Sequence, residues 1–222
     1  MQSKPDAGTS RIAVVSNLAE LRAFTSRREF MRLLTLGGAL VLLPSFATGC
    51  EDTENTGGIT APGSGASVTI DFAKGDVAVL QFAYALEQLE ADFYTQVVSN
   101  FAASNLTAAD KVVLGDIRNH EVAHREFLKT ALGANATFTL TPIYSGINLT
   151  DRAAILTAAR TFEDLGVAAY NGAAQFLSDT GNLLMAGKIV SVEARHASAI
   201  RDLLNPRSAD FAGGGRVING AG

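Results

Sequence analysis

The sequence holds three histidines, and two of them stand in the same local setting, Glu121-Val122-Ala123-His124 and Glu193-Ala194-Arg195-His196. On a helix, a three-residue step keeps carboxylate and imidazole on one face, so each pair can offer both to one metal ion. Two copies suggest two metals. Two further glutamates, Glu87 and Glu163, each lie seven residues before a tyrosine, Tyr94 and Tyr170. Seven residues are close to two helical turns, so each Tyr shares a face with its Glu. The order Glu, Glu-x-x-His, Glu, Glu-x-x-His is therefore an internal repeat. A single Glu on a helix is ordinarily solvated, and neither Glu87 nor Glu163 would stand out alone. Gathered in one core, four carboxylates would cost several kcal/mol per ion unless cations or protons offset them. Two divalent ions match the four charges. Carboxylate oxygens with one imidazole per metal form a hard donor set, which suits iron or manganese better than copper and lacks the thiolates of structural zinc. Such a centre supports oxidation of ferrous iron, or disposal of peroxide or oxygen, at an open coordination position.

Neighbouring residues extend this set. Glu90 follows Glu87 by three residues and could be an extra ligand, a gate or a solvated end of the site; its counterpart in the second half is Gly166, which favours Glu87 as the ligand. His120, one turn before His124, could reach the site mouth or lie on the surface. Tyr94 and Tyr170 are expected to pack around the ligands rather than take part in redox chemistry. Asp92 and Asp164 are expected to be solvated or to orient a ligand.

Four helices must position these residues. The first is expected over Asp76 to Val98 with Asp76 as its N-cap, and the second from Thr107, with Asp110 completing a capping box, to Leu132 before Gly133. Ala134 to Asn148 has the Thr- and Pro-containing character of an irregular crossover, long for a link between neighbouring helices. Thr150 is expected to cap a third helix to about Ser178, and a fourth runs from Asn182 to Leu204, before Pro206. Helices of such length span roughly 33 Å each at 1.5 Å per residue, enough to pack side by side. The expectation is an all-α four-helix bundle with one long crossover between helices two and three.

The lead reads as an address. Ser26-Arg27-Arg28-Glu29-Phe30 precedes an apolar run, Leu33 to Ala47, shorter than the roughly 20 residues of a permanent membrane helix. The paired arginines, with Ser before them and Phe after, resemble the twin-arginine export signal. Ala47-Thr48-Gly49-Cys50 resembles a bacterial lipobox with Ala47 where Leu is usual, making Cys50 a lipidation candidate; an ordinary cleaved signal or an uncleaved anchor is the alternative. Cys50 is the only cysteine, which removes Cys-rich zinc and iron-sulfur modules. The expected organisation is a signal segment over 1–50, a flexible linker over 51–67, the bundle over 68–205 and a Gly-rich tail over 206–222. A net charge of -4 with scattered Lys and Arg gives no footprint for nucleic acid.

Over Thr69 to Leu204 the sequence resembles the ferritin-like superfamily. The wording of Phe82 to Tyr94 and of Val192-Glu193-Ala194-Arg195-His196 is similar to its branch of exported bacterial and plant desiccation-related proteins. The resemblance implies two iron or two manganese ions bridged by Glu121 and Glu193, capped by His124 and His196, and completed by Glu87 and Glu163. The chemistry of such a centre adds O2 or H2O2 as an expected partner, and the lead adds an expected periplasmic or envelope location with a tether to the membrane. A homo-oligomer stays open, although a tether disfavours a closed shell. Two other expectations stand beside the oxidative one: a non-catalytic stress-tolerance protein using the bundle as a structural or metal-storing module, and a metal-free bundle making protein contacts through its crossover.

Overall fold

The computed structural model describes residues 12–15, 39–42, 68–142, 144 and 146–212, and only the backbone of the first two segments. The twin-arginine motif, most of the apolar run, Cys50, the linker 51–67 and the tail beyond 212 lie outside the described residues.

Each helix begins where a side chain or glycine settles the free N–H groups of its first turn. Helix α1 (Asp76–Ser99) is preceded by Gly75 at φ 59, so Asp76 is its first residue and not its cap. The Asp76 carboxylate instead reaches across the bundle and accepts from the backbone N–H groups of Ser178 (2.8 Å) and Asp179 (3.0 Å) and from Asn182 Nδ2 (3.1 Å). The Ser178 N–H foremost holds its carboxyl well below the usual carboxylate range. Helix α2 (Ala108–Leu132) opens with the expected capping box: Asp110 N–H donates to Thr107 Oγ1 and Thr107 N–H to Asp110 Oδ2. It stops at Gly133, whose φ of 52 a residue with a Cβ would adopt under strain.

Helix α3 (Arg152–Ala173) is capped by Asp151 and not by Thr150; Asp151 accepts from Ala154 N–H, while Thr150 is held in the preceding turn by Asn148. It yields to a 3-10 turn over Ala174–Phe176, short of Ser178. Helix α4 (Thr180–Leu204) starts two residues earlier than expected because Asp179 caps it through Asn182 N–H.

α1 packs along α2, and α3 along α4. The crossover ties the two hairpins together: Leu140 N–H donates to Gln88 Oε1 (2.8 Å), and the Tyr144 hydroxyl donates to Leu89 O (2.7 Å). The Tyr144 ring meets Phe93 and Phe162 edge-on, closing one end of the core. This is the all-α bundle with one long crossover that the spacing predicts. It carries one addition, a three-stranded sheet in which β2 (Ala39–Leu42) pairs parallel with β1 (Ile12–Val15) and antiparallel with β3 (Val68–Asp71). The alternation in Val68-Thr69-Ile70 explains β3, since Ile70 is fully buried in the bundle core beside Phe72. Among the described residues no helix is long and apolar enough to cross a membrane.

Candidate metal centre

The four helices bring Glu87 (α1), Glu121 and His124 (α2), Glu163 (α3), and Glu193 and His196 (α4) into the middle of the bundle. All four glutamates are completely buried. Their donor atoms form two overlapping groups, Glu87, Glu121, His124 and Glu193 in one, and Glu121, Glu163, Glu193 and His196 in the other, each within 4.8 Å. Glu121 and Glu193 belong to both. His124 Nδ1 lies 2.9 Å from Glu193 Oε1, 3.3 Å from Glu121 Oε2 and 3.5 Å from Glu87 Oε2. His196 Nδ1 lies 2.7 Å from Glu121 Oε1 and 3.4 Å from Glu163 Oε2.

Only part of this proximity is hydrogen bonding, as between His124 Nδ1 and Glu121 Oε2. Glu87 Oε2, Glu121 Oε1, Glu163 Oε2, both Glu193 oxygens and His196 Nδ1 are buried without a hydrogen-bond partner, because they approach one another without aligning as donor and acceptor. Leaving so many buried polar atoms unpaired is costly. Lone pairs converging on a common space are what a cation would satisfy, so the residues fit a metal site.

The electrostatics agree. Burial, then the charge of neighbouring carboxylates, pushes the Glu163 carboxyl up to about 7 and Glu193 to about 8, and Glu87 well above its ordinary value. Glu121 is the exception: burial would raise it, but His124 and His196 hold it at about 2. Burial would likewise lower the two imidazoles, yet the surrounding carboxylates, Glu121 first, lift His124 to about 12 and His196 to about 10. In the metal-free state protons therefore hold the charge of the cluster down.

The tyrosines act crosswise. Tyr94 of α1 donates to Glu163 Oε1 of α3 (2.5 Å), and Tyr170 of α3 donates to Glu87 Oε1 of α1 (2.5 Å). Each Tyr shares a face with the Glu of its own helix, as expected, but bonds the Glu of the other. One oxygen of each lone Glu is thus fixed while its Oε2 is left for the cluster.

Glu90 is buried, with Oε2 unpartnered, which removes the reading of a solvated end. Its room comes from Gly166, where an added Cβ would sit 3.2 Å from both Glu90 Oε1 and Glu193 Oε2. Glu90 stands beside the two donor groups and is in neither. His120 lies at the mouth, in a groove between α2 and α4. Its Nδ1 is 2.8 Å from His196 Nε2 with the rings stacked. When His196 offers its Nδ1 lone pair, its proton sits on Nε2 and is donated to His120, which fixes that tautomer. Asp164 pairs with Arg201, and Asp92 accepts from Gln96, so each is engaged away from the ligands.

A ferritin-like domain model matches residues 75–206, more than half of the chain. The chain belongs to the ferritin-like domain family. The matched span begins one residue before α1 and ends just after α4, so it contains every residue of this ferritin-like cluster. Comparison with curated proteins finds no match.

Proposed function

We propose that this ferritin-like protein carries a dinuclear iron or manganese centre and oxidises ferrous iron, with oxygen or peroxide as the oxidant. The observation that carries this reading is the sharing of Glu121 and Glu193 between two otherwise separate donor groups. In it, Glu121 and Glu193 would be shared between the two ions, His124 and Glu87 would help to hold one, and His196 and Glu163 would help to hold the other. A bound metal pair supplies one-electron redox chemistry and an open position for the oxidant. The chain's own part is orientation: Tyr94 and Tyr170 fix the lone glutamates, His120 fixes the His196 ring, and the apolar core excludes bulk water.

Metal analysis of protein purified without chelators, with an optical spectrum before and after ferrous iron is added in air, tests this. About two ions per chain and a growing charge-transfer band are expected. No metal, and none taken up, would leave the bundle as a scaffold. Binding must also displace the protons that His124 and His196 carry at neutral pH. Metal loading in weak buffer should therefore release at least those two protons, and occupancy should fall as pH drops. Proton-neutral loading would contradict this ligand set.

We also propose export by the twin-arginine route and a lipid tether at Cys50, supported by Arg27-Arg28 before the apolar run and by the position of Cys50 ahead of a Gly- and Ser-rich linker. Cys50→Ala should move the protein from the membrane to the soluble fraction. A variant that stays bound would place the anchor elsewhere.

A further inference from the structure

Superposing the two halves of the repeat exposes an asymmetry. Aligning Glu87 with Glu163 sets Phe93 against Ala169 and Val97 against Ala173; aligning Glu121 with Glu193 sets Leu114 against Ala186. Phe93, Val97 and Leu114 are completely buried in packed core. At the opposite end the three alanines, with Ala83, leave a cavity among all four helices. It lies one turn from the cluster: Ala83, Leu128 and Ile189 in its wall stand four residues from Glu87, His124 and Glu193. Tyr170 closes it on the inner side with its hydroxyl on Glu87 Oε1. Half-exposed Phe127 and Met185 stand where it opens outward.

Size and polarity narrow the occupant. About 40 Å3 is open to the centre of a water-sized molecule, where a single water needs roughly 10–15 Å3 by the same measure. A molecule of two or three heavy atoms fits, and an organic substrate does not. The wall is predominantly apolar, and its inner hydroxyl, on Tyr170, is already committed to Glu87. Peroxide would lose hydrogen bonds to water on entering such a space. Dioxygen has none to lose.

We infer that this cavity is a dioxygen site feeding the cluster past Tyr170, an inference that rests on the dinuclear reading above and decides between its two oxidants. In the step it serves, two ferrous ions each give up one electron, and dioxygen takes both together with two protons from two waters, whose O–H bonds break and whose hydroxide ions balance the charge gained by the iron. Two O–H bonds form, the O–O bond is kept, and hydrogen peroxide leaves.

Xenon is the probe, since it matches small apolar gases and needs no metal. Xenon binding to the metal-free protein, by 129Xe NMR or in crystals under xenon pressure, is compared with Ala173→Val and with Ala173→Val/Ala186→Leu, which install the residues of the filled half. Xenon should seat beside Tyr170 in the unaltered protein and be lost in both variants. Oxygen-driven ferrous oxidation should fall several-fold in them, with metal content and peroxide-driven oxidation unchanged. No xenon in the unaltered protein overturns the inference, as do variants that lose xenon yet keep the oxygen rate, or that slow both oxidants equally. Xenon bound in a protein that takes up no metal ends the feeding role through failure of the dinuclear reading, with the cavity itself still demonstrated.

Discussion

A Glu121→Gln chain should lose both metal ions at once, whereas Glu87→Gln should weaken one position only. The asymmetry follows from which groups each carboxylate joins. Glu121 Oε2 stands 3.3 Å from His124 Nδ1 and its Oε1 2.7 Å from His196 Nδ1, so its two oxygens serve different donor groups. An amide keeps one acceptor oxygen and replaces the other with a donor, which turns a bridge into a half-bridge that repels the second cation. Glu87 already commits Oε1 to Tyr170 and offers only Oε2 to one group. Affinity in Glu121→Gln should fall by more than the roughly 10–100-fold typical of losing a partner behind the ligands. The fold should survive, because a buried neutral amide costs less than a buried carboxylate without its cation. Metal analysis with circular dichroism separates the two effects: retention of both ions would remove Glu121 as a bridge, and loss of helical signal would mean that it serves packing.

Which residues would meet in one buried cluster was legible because a helix converts spacing into direction. Once Glu121 and His124, or Glu193 and His196, are placed on helices, the three-residue step sets both side chains on one face, and the repeat says that four helices meet. Helix starts were less legible. Asp76 before an apolar stretch looks like a cap, yet its carboxylate serves residues about a hundred positions later, and nothing local in the sequence distinguishes the two uses. The crosswise tyrosines were hidden for the same reason. Sequence spacing says that Tyr94 and Glu87 share a face, but a side chain reaching across a bundle bonds whatever the neighbouring helix presents, here Glu163. A signal for it existed in the two-fold relation of the halves, which makes each Tyr face the partner helix. Glu90 was ambiguous because its burial depends on the missing side chain of Gly166, on another helix. β3 was not anticipated, because its pairing partner β2 lies in the apolar run that reads as part of an export signal.

The same two-fold relation equates Asp76, first residue of α1, with Arg152, first residue of α3, and each buckles its helix to the start of a helix in the other half. Arg152 should be the more consequential of the two. Its Nε and Nη2 donate to Asp110 at 2.7 and 2.9 Å, and Nη2 also donates to Leu203 O at the end of α4 (2.8 Å), so one guanidinium joins three helices. Asp110 is almost completely buried and keeps only its contacts with Thr107 if the guanidinium is removed. Arg152→Ala is therefore expected to cost about 2–4 kcal/mol and to lower Tm on the order of 10 °C. Acidity should close the gap. Burial alone would raise the Asp110 carboxyl, but Arg152 and Thr107 outweigh it and hold it below the usual range. Stability from a carboxyl lowered in the folded state is fully present above its unfolded value, near 4, and is lost as pH falls through the lower folded one. Thermal melts of metal-free wild type and Arg152→Ala should thus differ most at neutral pH and converge in acid. A gap independent of pH would assign the loss to the Leu203 contact and side-chain packing, and would remove the ion pair as the element that fixes α3 against α2, the helix carrying Glu121 and His124.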